Sequence, residues 1–196
     1  MYCSRKLFLI IMLLAVFFIT GCKSADGPIY HMREDIDFSY YQKVAVLPMN
    51  NLTNDKSAGE IVRQLIASEL LASGLVDVVV PGEVSSALSK MSITDVSSMT
   101  KKQMKTLGEL IRVQAIIMGS VEQYGEVRSG NVSAPEVTIT LIMADTGSGD
   151  IVWSITNTHG GADFMSRHFG AKSMTMSETV LFVVREAIDT LTMYHQ

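Results

Sequence analysis

The sequence predicts an α/β fold: a single domain with a mixed sheet of about five strands in the order β-α-β-α-α-β-β-β-α. Three observations predict it. A continuous apolar run at 44–47 and apolar-rich runs at 76–80 and 115–121 are separated by helical patterns, as buried parallel strands are. Two later segments, 137–143 and 151–156, alternate apolar and polar residues around the turn cluster Asp145-Thr146-Gly147-Ser148-Gly149-Asp150, as the arms of an antiparallel hairpin do. Helix-start signatures stand ahead of three apolar faces of period 3.6: Ser57-x-x-Glu60, Thr100-x-x-Gln103 and Thr175-x-x-Glu178.

The chain opens with Arg5 and Lys6, an apolar run over 7–19, and the small-residue exit Ile19-Thr20-Gly21-Cys22. Charge, short greasy core and small exit are the parts of an export signal. The run is shorter than the about 20 residues of a spanning helix, so cleavage is expected. The site resembles the lipobox of bacterial lipoproteins, in which the cysteine thiol receives a diacylglycerol and becomes the first residue. That makes Cys22 the lipidation site, residues 1–21 the signal, and the covalent lipid the anchor. An ordinary secretory signal with an incidental cysteine is the alternative. Lys23 and Ser24 follow, with no Asp at the second position, and by resemblance to the sorting pattern this favours an outer membrane.

Residues 22–42 carry no visible period and read as a tether, with Phe38, Tyr40 and Tyr41 packing at the domain edge. The domain proper is expected over 43–196. The strand at 44–47 ends at Pro48, and a polar loop leads to the helix at 57–73, stopped by Gly74. The second buried strand, 76–80, ends at Pro81, and a short helix over 83–91 turns Val84, Ala87, Leu88 and Met91 inward. The next helix places Leu107, Leu110 and Ile111 inward and Lys101, Lys102 and Lys105 outward, as a wet face or a partner patch. The last helix groups Val180, Leu181, Val184, Ala187, Ile188 and Leu191 on one side, with Arg185 and Asp189 spaced to pair on the other.

Net charge is −4 without acidic or basic blocks, so the balance does not point to nucleic acid. The two cysteines are Cys3 in the signal and Cys22, so no disulfide is expected after cleavage and lipidation. His31, His159, His168 and His195 stand at no metal-ligand spacing. Gly147-x-Gly149 joins two strands, so it reads as a hairpin turn and not as a phosphate loop. No cofactor or catalytic residue is expected. Residues 158–176 are the odd stretch, with His159, Asp163 and His168 beside Phe164, Met165 and Phe169. They read as a loop tucked under the sheet, or as an adaptable protein-binding loop through Phe164, Met165 and Phe169. A hydrolytic His/Asp pair is the third reading.

Taken together, the lipobox, KVAVLPMNNLTND, ALSKM, LGELIRVQAIIMGSVEQYGEV and VTITLIMADTGSGDIVWS resemble the CsgG-like lipoprotein superfamily over 43–191. That group includes the curli secretion-channel lipoprotein, with related folds in LpoB and the N-terminal domain of TolB. The resemblance implies a non-enzymatic, outer-membrane-anchored domain facing the periplasm. It would assemble with itself, as a homo-oligomer, or with an envelope or secretion partner. A subunit of an oligomeric secretion channel is the alternative. Channel members insert two long membrane hairpins, and here 124–136 and 158–175 lack the outward apolar alternation that a membrane strand needs.

Overall fold

The computed structural model describes residues 28–129, 132–160 and 174–193. Cys22, Asp163, Phe164, Met165, His168, Phe169 and His195 lie outside the described residues.

The strands are β1 (Ile29–Met32), β2 (Lys43–Val46), β3 (Asn50–Asn51), β4 (Asp77–Val78), β5 (Ala115–Ser129), β6 (Val132–Asp145) and β7 (Ile151–Gly160). The helices are α1 (Ala58–Ser73), α2 (Pro81–Lys90), α3 (Lys101–Ile111) and α4 (Met176–Thr192), with a 3-10 turn at Phe38–Tyr40. One seven-stranded sheet runs β1-β7-β6-β5-β2-β4, and β3 adds to β5. The predicted mixed α/β sheet is therefore present, with more strands than the about five expected. Pairing is parallel where helices cross over, in β2–β4, β2–β5 and β3–β5, and antiparallel in β5–β6, β6–β7 and β1–β7.

Two cores flank the sheet. The larger joins α1 and α4 to one face, through Val62, Ile66 and Leu70 and through Val180, Val184, Ala187 and Ile188, against Ile117, Ile139, Leu141, Trp153 and Ile155. Trp153, the chain's one tryptophan, is fully buried there, and its indole N–H donates to Thr190 Oγ1 at 3.0 Å. The smaller core joins α2 and α3 to the other face through Val84, Leu88, Leu107 and Ile111, against Ala45, Leu47, Ile116, Met118 and Ala144. Those residues belong to β2, β5 and the end of β6, except Leu47, which directly follows β2. The second helical layer thus covers only the parallel half of the sheet.

Several expectations need correction. Ile29–Met32, inside the stretch read as tether, pairs with β7 as an edge strand, and Phe38 and Tyr41 enter the core. Four residues are too few to display a period. The run at 76–80 contributes a two-residue edge strand, with Val80 exposed. Pro81 does not merely end it but opens α2 at the first helical position, where its missing N–H costs nothing. Ser57 does not form its capping box: its backbone N–H and Oγ both donate to Asp55 Oδ1, at 2.8 and 2.6 Å. Thr100 and Thr175 form theirs as expected. Leu110 is exposed. Arg185 gives both of its guanidinium bonds to Glu69 of α1, at 3.0 and 3.1 Å, and so ties α4 to α1.

The stretch 158–176 is not wholly loop, since β7 continues to Gly160. Residues 124–136 are likewise paired: β5 and β6 run together from Ala115↔Asp145 to Ser129↔Val132. Beyond Glu136↔Gly160, the last β6–β7 pair among the described residues, the β5–β6 hairpin continues as an arm. Pro135 sits just past that pair, so its absent N–H interrupts no ladder to β7.

Candidate interaction surface

The antiparallel half of the sheet has one face that α2 and α3 leave uncovered. Side chains alternate along each strand, so the residues opposite the Trp153 core face outward here. β6 supplies Thr138, Thr140 and Ile142, and β7 supplies Ser154, Thr156 and Thr158. β5 adds Ser120 and Glu122, and β1 adds Ile29 and His31. Cross-strand register brings the threonines into a ladder: Thr138 and Thr158 hydroxyls are 2.9 Å apart, and Thr140 and Thr156 hydroxyls 3.0 Å apart. Thr140 Oγ1 also donates to Glu122 Oε1 at 2.8 Å, and Ser120 Oγ donates to the same oxygen at 3.2 Å. An open groove between Ile29, His31, Thr140, Ile142, Ser154 and Thr156 runs beside this ladder.

Chemically this is a flat platform of hydroxyls, one carboxylate, the His31 imidazole and two aliphatic side chains. It can accept and donate hydrogen bonds over a wide area. It ends at β1, whose outer edge is unpaired among the described residues and whose Ile29 is 81% exposed. An exposed edge strand of this kind is a ready partner for another strand.

The flanks of this surface are fixed by charge. Asp150, in the β6–β7 turn, pairs with Lys101 of α3 at 2.5 Å and with Arg33, beyond β1, at 3.6 Å; Arg33 also pairs with Asp35. The Lys101 bond, with Arg33 beside it, holds the Asp150 carboxyl below the usual carboxylate range. Gly149 takes φ +70°, and its N–H donates to Asp145 O at 2.8 Å, so the glycines here serve a hairpin turn as the sequence reading has it. Tyr41 is buried beside Asp145, and burial first, then the carboxylate, push its phenol above its ordinary value.

A second open groove lies along α4, between Met174, Leu181, Phe182, Glu186 and Asp189. Phe182 is 42% exposed, and His159 of β7 lies against it, with ring centroids 4.2 Å apart. His159 is thus packed on an aromatic ring, while Asp163 and His168 lie outside the described residues. Lys102 and Lys105 are on the outer side of α3. Among the described residues no group of three His, Cys, Asp or Glu side chains is placed to hold a metal. Among them also, no helix is long and apolar enough to cross a membrane.

The sequence reading missed this platform. Its signal was present in Thr138, Thr140 and Thr156, which alternate with apolar residues. Their alignment across the turn needs the register, which no single strand displays.

Known folds match this arrangement of strands and helices. The fold is similar to that of the PelC protomer. PelC from Paraburkholderia phytofirmans, solved as a dodecamer, superposes with a TM-score of 0.57 at 19% identity, covering 82% of this chain and 95% of that one. The hypothetical protein CT253 from Chlamydia trachomatis matches with a TM-score of 0.53 at 12% identity, over 79% of this chain and 98% of that one. Lipoprotein GNA1162 from Neisseria meningitidis matches with a TM-score of 0.51 at 15% identity, over 77% and 98%. No protein-family model and no curated protein sequence matches the chain.

Proposed function

We propose that this chain is an envelope lipoprotein of the CsgG-like superfamily, anchored in the outer membrane through a lipid on Cys22. It acts as a non-enzymatic binding and assembly module for a secretion or cell-envelope complex. The observation that carries this reading is the hydroxyl platform, bounded by an edge strand that is unpaired among the described residues: a broad surface suited to another protein. The fold likeness to GNA1162, itself a lipoprotein, supports the anchored part of the reading. Phe164, Met165 and Phe169 belong to the proposal as a further adaptable contact.

Two experiments test it. Mass spectrometry of the protein taken from membranes should find residues 1–21 removed and acyl chains on Cys22; an unmodified Cys22 would sink the anchor. Replacing Phe164, Met165 and Phe169 together with Ser should abolish partner capture and leave the thermal transition in place. A collapsed fold would instead make the loop core.

A second reading, self-assembly into a ring, is favoured by one observation: the PelC protomer it resembles was solved as a dodecamer. Light scattering of residues 23–196 across a concentration range should then give one discrete high mass. A monomer at every concentration would remove this reading.

A further inference from the structure

We propose that β1 pairs with β1 of a second copy of this chain, antiparallel and across a twofold axis at His31, so that two sheets become one. This contact uses the edge alone, needs neither the lipid nor a foreign partner, and so goes beyond the binding-module reading.

Residues of an antiparallel strand point their N–H and C=O alternately to one neighbour and to the other. The bond from Arg33 N–H to Val152 O fixes the phase for β1. Ile29 and His31 turn their backbone groups to Thr156 and Ser154 of β7, and Tyr30 and Met32 turn theirs outward. Among the described residues no hydrogen bond reaches the Tyr30 or Met32 backbone. The outward groups thus sit on two residues with His31 between them. A twofold axis at His31 sets Tyr30 of each copy opposite Met32 of the other, and every outward N–H and C=O of β1 then finds a partner.

The side chains agree with that register. On the platform side it sets Ile29 opposite Arg33 and His31 opposite its own copy. On the other side it sets Tyr30 opposite Met32, an aromatic ring against a thioether. Glu34 falls opposite Pro28, so no two permanent charges of like sign face each other across the axis. Ile29 and Tyr30, both exposed in the single copy, become partly covered. The sheet's other edge, β4, is only Asp77–Val78, so head-to-tail pairing of β1 with β4 has less backbone to hold it.

Four residues a side bury far less than the about 1,200 Å² of a stable interface, so the pair is weak and reversible and forms where copies are crowded. A twofold contact closes on itself, so it yields dimers and not rings. Its axis is normal to the sheet, which leaves both hydroxyl platforms on one face.

The experiment is cysteine bridging of the full chain in its membrane under a mild oxidant, read on a non-reducing gel. Opposite residues of a non-hydrogen-bonded pair stand about 4.5 Å apart at Cα, inside the range that a disulfide spans. His31→Cys should therefore bridge to its own copy at least fivefold more than Thr158→Cys, an exposed position on the same face. The unsubstituted chain reads any bridge made by Cys3 or Cys22. Adding Tyr30→Pro to His31→Cys deletes one outward N–H and spares the ladder to β7, as proline on an edge strand does. It should return bridging to the Thr158→Cys level with Tm unchanged; where it lowers Tm, the comparison of His31→Cys with Thr158→Cys decides. Equal bridging at those two positions would overturn the proposal. So would bridging that survives Tyr30→Pro, or a bridge from residue 31 to a different polypeptide, which makes the occupant a foreign strand.

Discussion

Arg63 carries a permanent charge in the interior. It is 4% exposed, and its guanidinium donates to Val46 O at 3.1 Å and to Pro81 O at 3.2 Å, with Glu60 3.6 Å away. One side chain thereby fastens the end of β2 and the start of α2 to α1. Arg63→Met keeps the stem and strands both carbonyls, so it should cost about 2–3 kcal/mol in urea unfolding followed by Trp153 fluorescence. An unchanged midpoint would mean that other donors replace the guanidinium. Tyr41 gives a pH signature. Its phenol is raised in the folded state, chiefly by burial. Its contribution is complete below the unfolded value of about 10 and is lost as pH rises from there, because only the unfolded phenol ionises. Tyr41→Phe should flatten the fall of Tm above pH 10. Asp150 has the opposite sign. Its carboxyl is lowered by Lys101, so its contribution is present above about pH 4 and disappears as acid protonates the folded form.

At the scale of elements, the β5–β6 hairpin is the spine of the fold, and Gly119 permits it. A Cβ at Gly119 would lie 2.0 Å from Thr140 O, in the facing strand's backbone, which cannot yield. Gly119→Ala should therefore cost about 3 kcal/mol or abolish folding. Gly125→Ala, on the same strand but with open space around it, should leave the urea midpoint nearly unchanged. The same strands mark where sequence reading works and where it stops. The capping boxes at Thr100 and Thr175 were legible because every partner lies within one helical turn. Ser57 was not, since Asp55 outcompetes the helix for its hydroxyl and N–H. Arg185 was drawn toward Asp189 by spacing, yet a bidentate fit to Glu69, distant in sequence, decides its place. β1 and β3 are too short to show a period, and the arm shows no regular alternation of apolar and polar residues. Strand register settled all three, and the hydroxyl platform with them.

For the whole molecule, the unequal coverage of the sheet matters most. α1 and α4 close one face along its length, while α2 and α3 close only half of the other. The rest is rigid because it is the back of the main core, and it is open because no helix of the described residues lies on it. The hydroxyl platform and the β1 edge then form one continuous surface along the side of the sheet. Thr140→Lys would place a long charge at the platform's centre without entering the core. It should halve partner capture or more while shifting Tm by less than about 2 °C. Loss of the fold itself would show that the ladder is structural.

The measurement that bears most directly on the binding-module account is site-specific photocrosslinking in intact envelopes. A photoreactive residue at Thr156, on the platform, should yield one discrete protein adduct, identifiable as a partner or as a second copy. The same residue at Lys102, on α3, should yield none. Adducts absent at Thr156, or equal at the two positions, would contradict the account.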